Sequence, residues 1–492
     1  MLRRNDEAAR RERGPAAACE AVLRQLGETA VARDLGEAMA DEGLTSEGRA
    51  LCRTLRPKFV SESDYRQLVA EGRIALDLFG RAERRVRSDA ALRHSLFGSH
   101  PYAPLIEAHL DHDIESVGRL DALVDGGGRF RFIEYNAGLC GGAFCSEGVA
   151  DIFLGSPVMT RLQDIYSLRF IGLRDRYLRT LVEGFRRARR RPPGNLAVIL
   201  PPGAAGLRFA ENAELKALVA FAGQSGLAAR FARLEDMLGQ AGPLRDQAGE
   251  IDVAIVVDWA TTLAACPPHH RLWQCGARRG TWIANSLGAS VLRSGKHLLA
   301  VLSDPSWGLR LQADERAWID AHIPWSRLLA PGPSTARGAA VDLVDWVREN
   351  RRSLVLKPCF SMGGRGVSLG WECGREDWEL AVDRALLTPS IVQERVVTAS
   401  EVYPVATAAG VGRRALAGDI CVYTWAGAEV GGLYCRVSET GLLNLSAPQG
   451  SLVPAFLFGP GAQGVRPGSW SIASIADARC APAFQSPSRS SS

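Results

Sequence analysis

Charge of one sign, paired cysteines, histidine and long apolar runs are what this 492-residue chain has little of, and each shortage removes a class of function. Its 59 lysines and arginines against 54 aspartates and glutamates leave a net charge of only +5, too slight an excess to require a nucleic-acid partner. The 11 cysteines contain no CxxC pair, and Cys140 with Cys145 is the one close couple, so zinc ribbons and thiol redox motifs find no support. Among the eight histidines, His109 and His112 in HLDH lack further ligands around them and read as surface or packing residues. Aromatics make up 7% of the chain, and Trp259, Trp282 and Trp325 read as core or pocket-wall residues rather than stacking platforms. No apolar run is long enough to cross a bilayer. The start, MLRRNDEAARRERG, continues into a polar, helix-prone stretch rather than the apolar core of a secretory signal. The expected home is a reduced cytoplasm, with neither membrane nor nucleic acid as partner.

What is present is the composition of a soluble globular protein, 46% hydrophobic and 23% charged, in a chain about three times the usual domain length. Residues 1–100 read as a helical N-terminal region, with Ser61 as a cap before the helical spacing of Leu68, Val69, Leu76 and Phe79. A second segment, 101–190, contains RLDALVDGGGRFRFIEYN at 119–136, two apolar strands around a glycine turn, and ends in the basic helix terminus FRRARRR. A Pro and Gly linker opens the segment 191–290. There the strand LAVIL, a helix over 211–221 and the strand IDVAIVV alternate as in a small parallel α/β domain. The segment 291–459 holds the glycine-rich motif described next, and the Gly-, Pro- and Ser-rich tail at 460–492 is expected to be disordered.

The most informative local stretch is LVLKPCFSMGGRGVSLG at 354–370, in which a strand delivers Lys357 into a turn containing Ser361, Gly363, Gly364 and Gly366 before a second strand. Glycines let backbone amides approach an anion with no Cβ in the way, and the lysine adds a compact, mobile charge. A Walker A loop at Gly295 and Lys296 is excluded, because Ser290 stands where its first glycine belongs and His297 follows the lysine. A protein kinase is excluded by order, since its glycine loop precedes the strand lysine. Further on, IVQERVV at 391–397 is an apolar strand interrupted by Gln393 and Glu394, suited to line an adenine pocket. Upstream, Lys296 opens an apolar helix and is a candidate second phosphate lysine.

This order of lysine, KP strand with glycine loop, and QE strand resembles the ATP-grasp superfamily. The resemblance implies that Lys296 and Lys357 contact ATP phosphates, that the loop with Ser361 and Gly363 to Gly366 covers them, and that Gln393 and Glu394 mark the hinge over adenine. Such ligases also need acidic residues and an asparagine for Mg2+, and none lies downstream of the hinge. The hairpin at 119–136 supplies them as Asp121, Glu134 and Asn136, the latter two on one face of a strand because their spacing is two. Hard oxygen ligands of this kind suit Mg2+. With metal strand first, α/β domain second and lysines last, the chain resembles circularly permuted ATP-grasp proteins related to glutathionylspermidine synthase, EYNAGLCGG being especially similar.

The resemblance covers roughly residues 50 to 455. It implies an α/β fold with 191–290 as an inserted Rossmann-like pre-ATP-grasp domain, and segments before 140 and after 400 completing one lobe. It further implies a Mg-ATP-dependent ligase that joins a small-molecule or peptide carboxylate to an amine through an acyl phosphate. Arg119, Lys357 and Arg436 are then the catalytic candidates, Arg119 through bidentate grip on a carboxylate or acyl phosphate. One departure is NLSAPQG at 444–450, where related proteins carry a glycine pair; Asn444 and Arg436 remain candidates for phosphate or metal contacts. The residues leave open an ATP binder without turnover and a small-molecule kinase. No residue is an evident general base, and oligomeric state is not legible.

Overall fold

A computed structural model of the chain describes residues 14–98, 103–108, 110, 117–138, 140–237, 243–265, 272, 280–361, 363–445 and 449–459. The tail at 460–492, together with His109 and His112, lies outside them. Three sheets position the chemistry. The largest has the strand order Ser400–Thr407, Gly410–Gly418, Glu429–Ser438, Ile420–Trp425, Val117–Val124, Phe130–Ala137, with Gly450–Val453 also paired to Glu429–Ser438. Its centre joins chain segments some 300 residues apart: Val117–Val124 pairs antiparallel with Ile420–Trp425, placing Arg119 opposite Tyr423 and Asp121 opposite Cys421. The hairpin turn forms because Asp125 accepts from the backbone amides of Gly127 and Arg129 while Gly128 takes a φ of 79°.

Side chains alternate across a strand, so this register sorts the sheet into two faces. Leu120, Ala122, Phe132, Tyr135, Val422 and Cys435 fall on one face and pack against Leu68, Ala75 and Phe79 of the helix Glu62–Arg87. That helix is set by Ser61, whose side chain accepts from the Asp64 amide, with Glu62 and Asp64 in its first turn and Arg84, Arg85 and Arg87 in its last. It lies close enough that a Cβ on Gly72 would meet Val430 at 3.0 Å. The opposite face carries Arg119, Asp121, Glu134, Asn136, Tyr423, Tyr434 and Arg436, and its apolar share is covered by Phe144, Tyr177 and Leu181 of the helices Ala143–Leu154 and Arg174–Arg189. The N-terminal region also contributes the strand Lys58–Ser61, parallel to Ala455–Phe458.

The second sheet is wholly parallel, in the order Trp282–Ile283, Val253–Val256, Asn195–Leu200, Ala228–Arg233. A helix read from 211 begins at Ala213, because the Asn212 side chain accepts from the Leu215 amide and caps it there. The third sheet is antiparallel: Ser326–Leu328, Ser390–Glu394, Leu354–Pro358, Ser368–Leu369. Trp378, Val382 and Val347 of the helices Arg375–Leu386 and Leu343–Glu349 fill one side of it. The strand read over 391–397 stops at Glu394, whose partner Leu354 is the last on that side, and Val397 beyond it is 65% exposed. Among the described residues no helix is long and apolar enough to cross a membrane.

Candidate active site

The polar face of the large sheet holds a closed ion network. Arg119 donates from Nε and Nη2 to the two oxygens of Asp121, at 2.6 and 3.0 Å, and from Nη1 to the Gly141 carbonyl at 2.6 Å, with its guanidinium 4.5 Å from the Tyr434 ring centre. Arg436 reaches Asp121 Oδ2 at 2.9 Å and binds Asp419 through Nε at 2.8 Å, Nη2 at 2.5 Å and its own amide at 2.7 Å. All four side chains are buried or nearly so. Burial alone would push the Asp121 carboxyl up, but the Arg119 and Arg436 guanidiniums override it and hold the group at about 2. An ionised carboxylate offers about four lone-pair positions, and these arginines occupy three of them. The Cys421 thiol also hydrogen-bonds to this carboxylate.

Asp419 was not legible as a site residue. The available signal was an acid directly before the wholly buried strand Ile420–Trp425, a place where an unpaired charge is costly.

Across the hairpin, Glu134 stands opposite Asp121 and Asn136 opposite Arg119. The Asn136 side-chain nitrogen is buried without a hydrogen-bond partner among the described residues. Both candidate lysines come to this edge. Lys296, 5% exposed, pairs with Glu134 at 2.7 Å and donates to the Ser361 carbonyl at 2.8 Å. Lys357, 8% exposed, donates to Gln393 Oε1 at 2.6 Å and to the Ile133 carbonyl at 3.2 Å. Burial lowers the Lys357 ammonium to about 8, the neighbouring Lys296 adding to the effect and Glu134 opposing it. Gln393 is fixed from its other end, donating to Ser326 Oγ at 3.0 Å, so it forms the floor beneath Lys357. Glu394 ties the end of the same strand through its amide to the Trp325 carbonyl.

The loop after Lys357 is built on three glycines, Gly363, Gly364 and Gly366, at φ of 63°, 72° and 73°, which other residues enter only with strain. A Cβ on Gly366 would also fall 2.9 Å from Pro358 Cγ. Ser361 turns its hydroxyl inward to the Arg365 carbonyl, Asn444 Nδ2 donates to the Gly363 carbonyl at 2.8 Å, and Arg365 reaches Asp258 at 3.3 Å. The loop is thus held between the large sheet's last segment and the parallel sheet. The register and the lysine contacts therefore gather Arg119, Asp121, Glu134, Asn136, Lys296, Lys357, Gln393 and Arg436 along one side of the large sheet, with the glycine loop joined to Lys296 through the Ser361 carbonyl.

No known protein family matches the chain, and no curated protein does. Among solved structures, a glutathione synthetase-like effector (GSS30) from Globodera pallida matches 87% of this chain and 96% of its own, at 11% identity and a TM-score of 0.55. The chain has the ATP-grasp fold. At that identity the likeness speaks for architecture alone. A protein described as a gamma-glutamylcysteine synthetase, from Methylobacillus flagellatus, covers 76% of this chain and 86% of its own at 13% identity and a TM-score of 0.35. A D-alanyl-alanine synthetase A from Vibrio cholerae covers 54% and 87% at 8% identity and a TM-score of 0.25. Within the ATP-grasp fold of this chain, the lysine strand and glycine loop belong to the antiparallel sheet and face the polar side of the large one.

Proposed function

We propose that the chain is a Mg-ATP-dependent carboxylate–amine ligase that works through an acyl phosphate and releases ADP and phosphate. The observation that carries the reading is the Glu134–Lys296 pair: the hairpin acid and the helix lysine, 162 positions apart in the chain, meet at 2.7 Å beside Lys357 and the glycine loop. Circular permutation explains why. The metal strands come first in the chain and the lysines last, yet the strands at 117–137 and 420–438 complete one sheet. On this reading 101–190 and 291–459 form the ATP-grasp lobes, 191–290 the pre-ATP-grasp domain and 1–100 a helical region. The eight described cysteines are all free, and a reduced cytoplasm is the compartment we assign.

The residues fit a divalent cation. Glu134 and Asn136 would offer it hard oxygens, the Asn136 amide being buried with no hydrogen-bond partner among the described residues, and Asp121 would join them although its oxygens are already bound by Arg119 and Arg436. When bound, the metal supplies charge neutralisation at the phosphates. Everything else falls to the chain. Lys296 and Lys357 hold the phosphates, the glycine loop with Ser361 covers them, and Gln393 and Glu394 back the adenine side. A substrate carboxylate oxygen bonds to the γ-phosphorus as the bond to the bridging oxygen breaks and ADP leaves. The amine nitrogen then bonds to the acyl carbon, phosphate departs with the C–O electron pair, and the amine proton passes to solvent. Arg119 and Arg436, already aligned by Asp121 and Asp419, hold the anionic reactants in place.

Labelled ATP with a cell extract tests this by mass balance. A new amide together with ADP and phosphate supports the reading; AMP and pyrophosphate refute it, and a stable phosphate ester makes the protein a small-molecule kinase. Glu134→Ala and Lys357→Ala should each abolish turnover.

A further inference from the structure

Phe130–Ala137 ends the strand order of the large sheet, so the backbone amides and carbonyls along its outer side have to find partners other than a strand. Side chains between residues 294 and 357 supply them. His322 Nδ1 donates to the Phe130 carbonyl at 2.8 Å. The register with Val117–Val124 passes from the pair Asp121 and Glu134 to the pair Ala122 and Phe132, leaving Ile133 as the extra residue of a bulge, and its carbonyl receives Lys357 at 3.2 Å. At the strand's end Ser294 Oγ accepts from the Ala137 amide at 2.7 Å and donates to the Ala137 carbonyl at 2.9 Å. A residue of a neighbouring antiparallel strand would make the same double exchange; here one hydroxyl closes it, on a residue 6% exposed.

Two positions further on, the chain is anchored again. The Lys296 amide donates to the Cys359 carbonyl at 3.1 Å, and its ammonium reaches the Ser361 carbonyl at 2.8 Å and Glu134 at 2.7 Å. One three-residue span therefore ties the strand carrying Glu134 and Asn136 to the stretch that follows Lys357. The span has no slack, because a Cβ on Gly295 would collide with the wholly buried His297 ring and with the Val291 carbonyl. A lysine stem is long and flexible, so when its ammonium turns from Glu134 and Ser361 to a phosphate, its reach is set by where its backbone is held. We propose that Ser294 is a positioning residue of the nucleotide site: its hydroxyl takes the place of a strand neighbour at Ala137 and so fixes the backbone from which Lys296 reaches the phosphates. The assignment rests on the reading of Lys296 as a phosphate lysine and adds the residue that sets its reach.

The test is a double-mutant cycle on the full chain, reading the dissociation constant of ATP at fixed Mg2+ by calorimetry. Ser294→Ala should bind roughly three- to tenfold more weakly, which is what the loss of a hydrogen bond amounts to. Ser294→Thr keeps the hydroxyl and should bind as the unmodified chain does. In a Lys296→Met background Ser294→Ala should cost nothing further, because the group it positions is gone, whereas a purely structural hydroxyl would cost the same factor in both backgrounds. Unchanged affinity in Ser294→Ala, an equal loss in Ser294→Thr, or equal losses in the two backgrounds overturns the assignment. Lys296→Met binding ATP as tightly as the unmodified chain removes instead the phosphate-lysine reading beneath it, so the two failures are told apart.

Discussion

Raising the pH from about 7 to about 9 is expected to weaken Mg-ATP binding about tenfold, and the reason lies in the burial of one lysine. Lys357 is 8% exposed, shares its surroundings with Lys296, and titrates at about 8 rather than at the ordinary lysine value of 10.5. Only the ammonium form binds a phosphate oxygen. At a pKa of about 8 roughly nine-tenths of the chains carry it at pH 7 and roughly one-tenth at pH 9, whereas an unshifted lysine stays charged throughout and gives no change. Phosphate attracts the proton, so the group titrates higher in the complex, and the loss of affinity belongs to the free protein.

The measurement is the dissociation constant of ATP at fixed Mg2+ and ionic strength across that range, in the unmodified chain and in Lys357→Arg. Arginine stays charged, so the variant should show a flat profile whatever its absolute affinity. A flat profile in the unmodified chain, or the same inflection in Lys357→Arg, refutes the reasoning. Stability gives an independent check of sign. Between about 8 and 10.5 the unfolded chain binds more protons than the folded one at this position, so the penalty present below pH 8 is relieved as pH rises. Relative to Lys357→Met, the ligand-free protein should therefore gain stability across that window.

Glu134→Gln should bind ATP weakly in Mg2+ and form no product, because the metal loses an anionic ligand, and Lys296 its partner at 2.7 Å; steady-state kinetics at increasing Mg2+ would show no recovery. Asp419→Ala leaves Arg436 buried with Asp121 as its one acid partner, and a loss of about 3–5 kcal/mol is expected in denaturant unfolding. Gly366→Ala sets a Cβ 2.9 Å from Pro358 at a φ of 73°, so the KM for ATP should rise and the unfolding midpoint fall modestly; an unchanged KM would count against the loop as the phosphate cover. Ser61→Ala removes the cap of the helix behind the hairpin and should cost about 1 kcal/mol of stability with the ATP affinity intact.

Which parts of this were readable in the chain, and which were not, follows from the range of the interactions. Period and turn chemistry are local, so the hairpin at 119–136, the parallel α/β strands, the cap at Ser61 and the lysine strand could be found from neighbouring residues alone. Spacing of two was enough to put Glu134 and Asn136 on one face, and the structure keeps them there. Register between distant strands is not local. Nothing near residue 436 says that Arg436 will divide its donors between Asp121 and Asp419, since that depends on Ile420–Trp425 choosing Val117–Val124 as its neighbour. The same dependence sets the contacts of Gln393, read with Glu394 as the hinge over adenine: once Leu354–Pro358 pairs with Ser390–Glu394, its amide oxygen meets Lys357 and its nitrogen meets Ser326. The amide then fixes the lysine's position without neutralising it. Burial is what lowers the Lys357 ammonium to about 8, and Gln393, being neutral, adds no charge to oppose it; Gln393→Glu should raise that inflection and flatten the pH profile below pH 9.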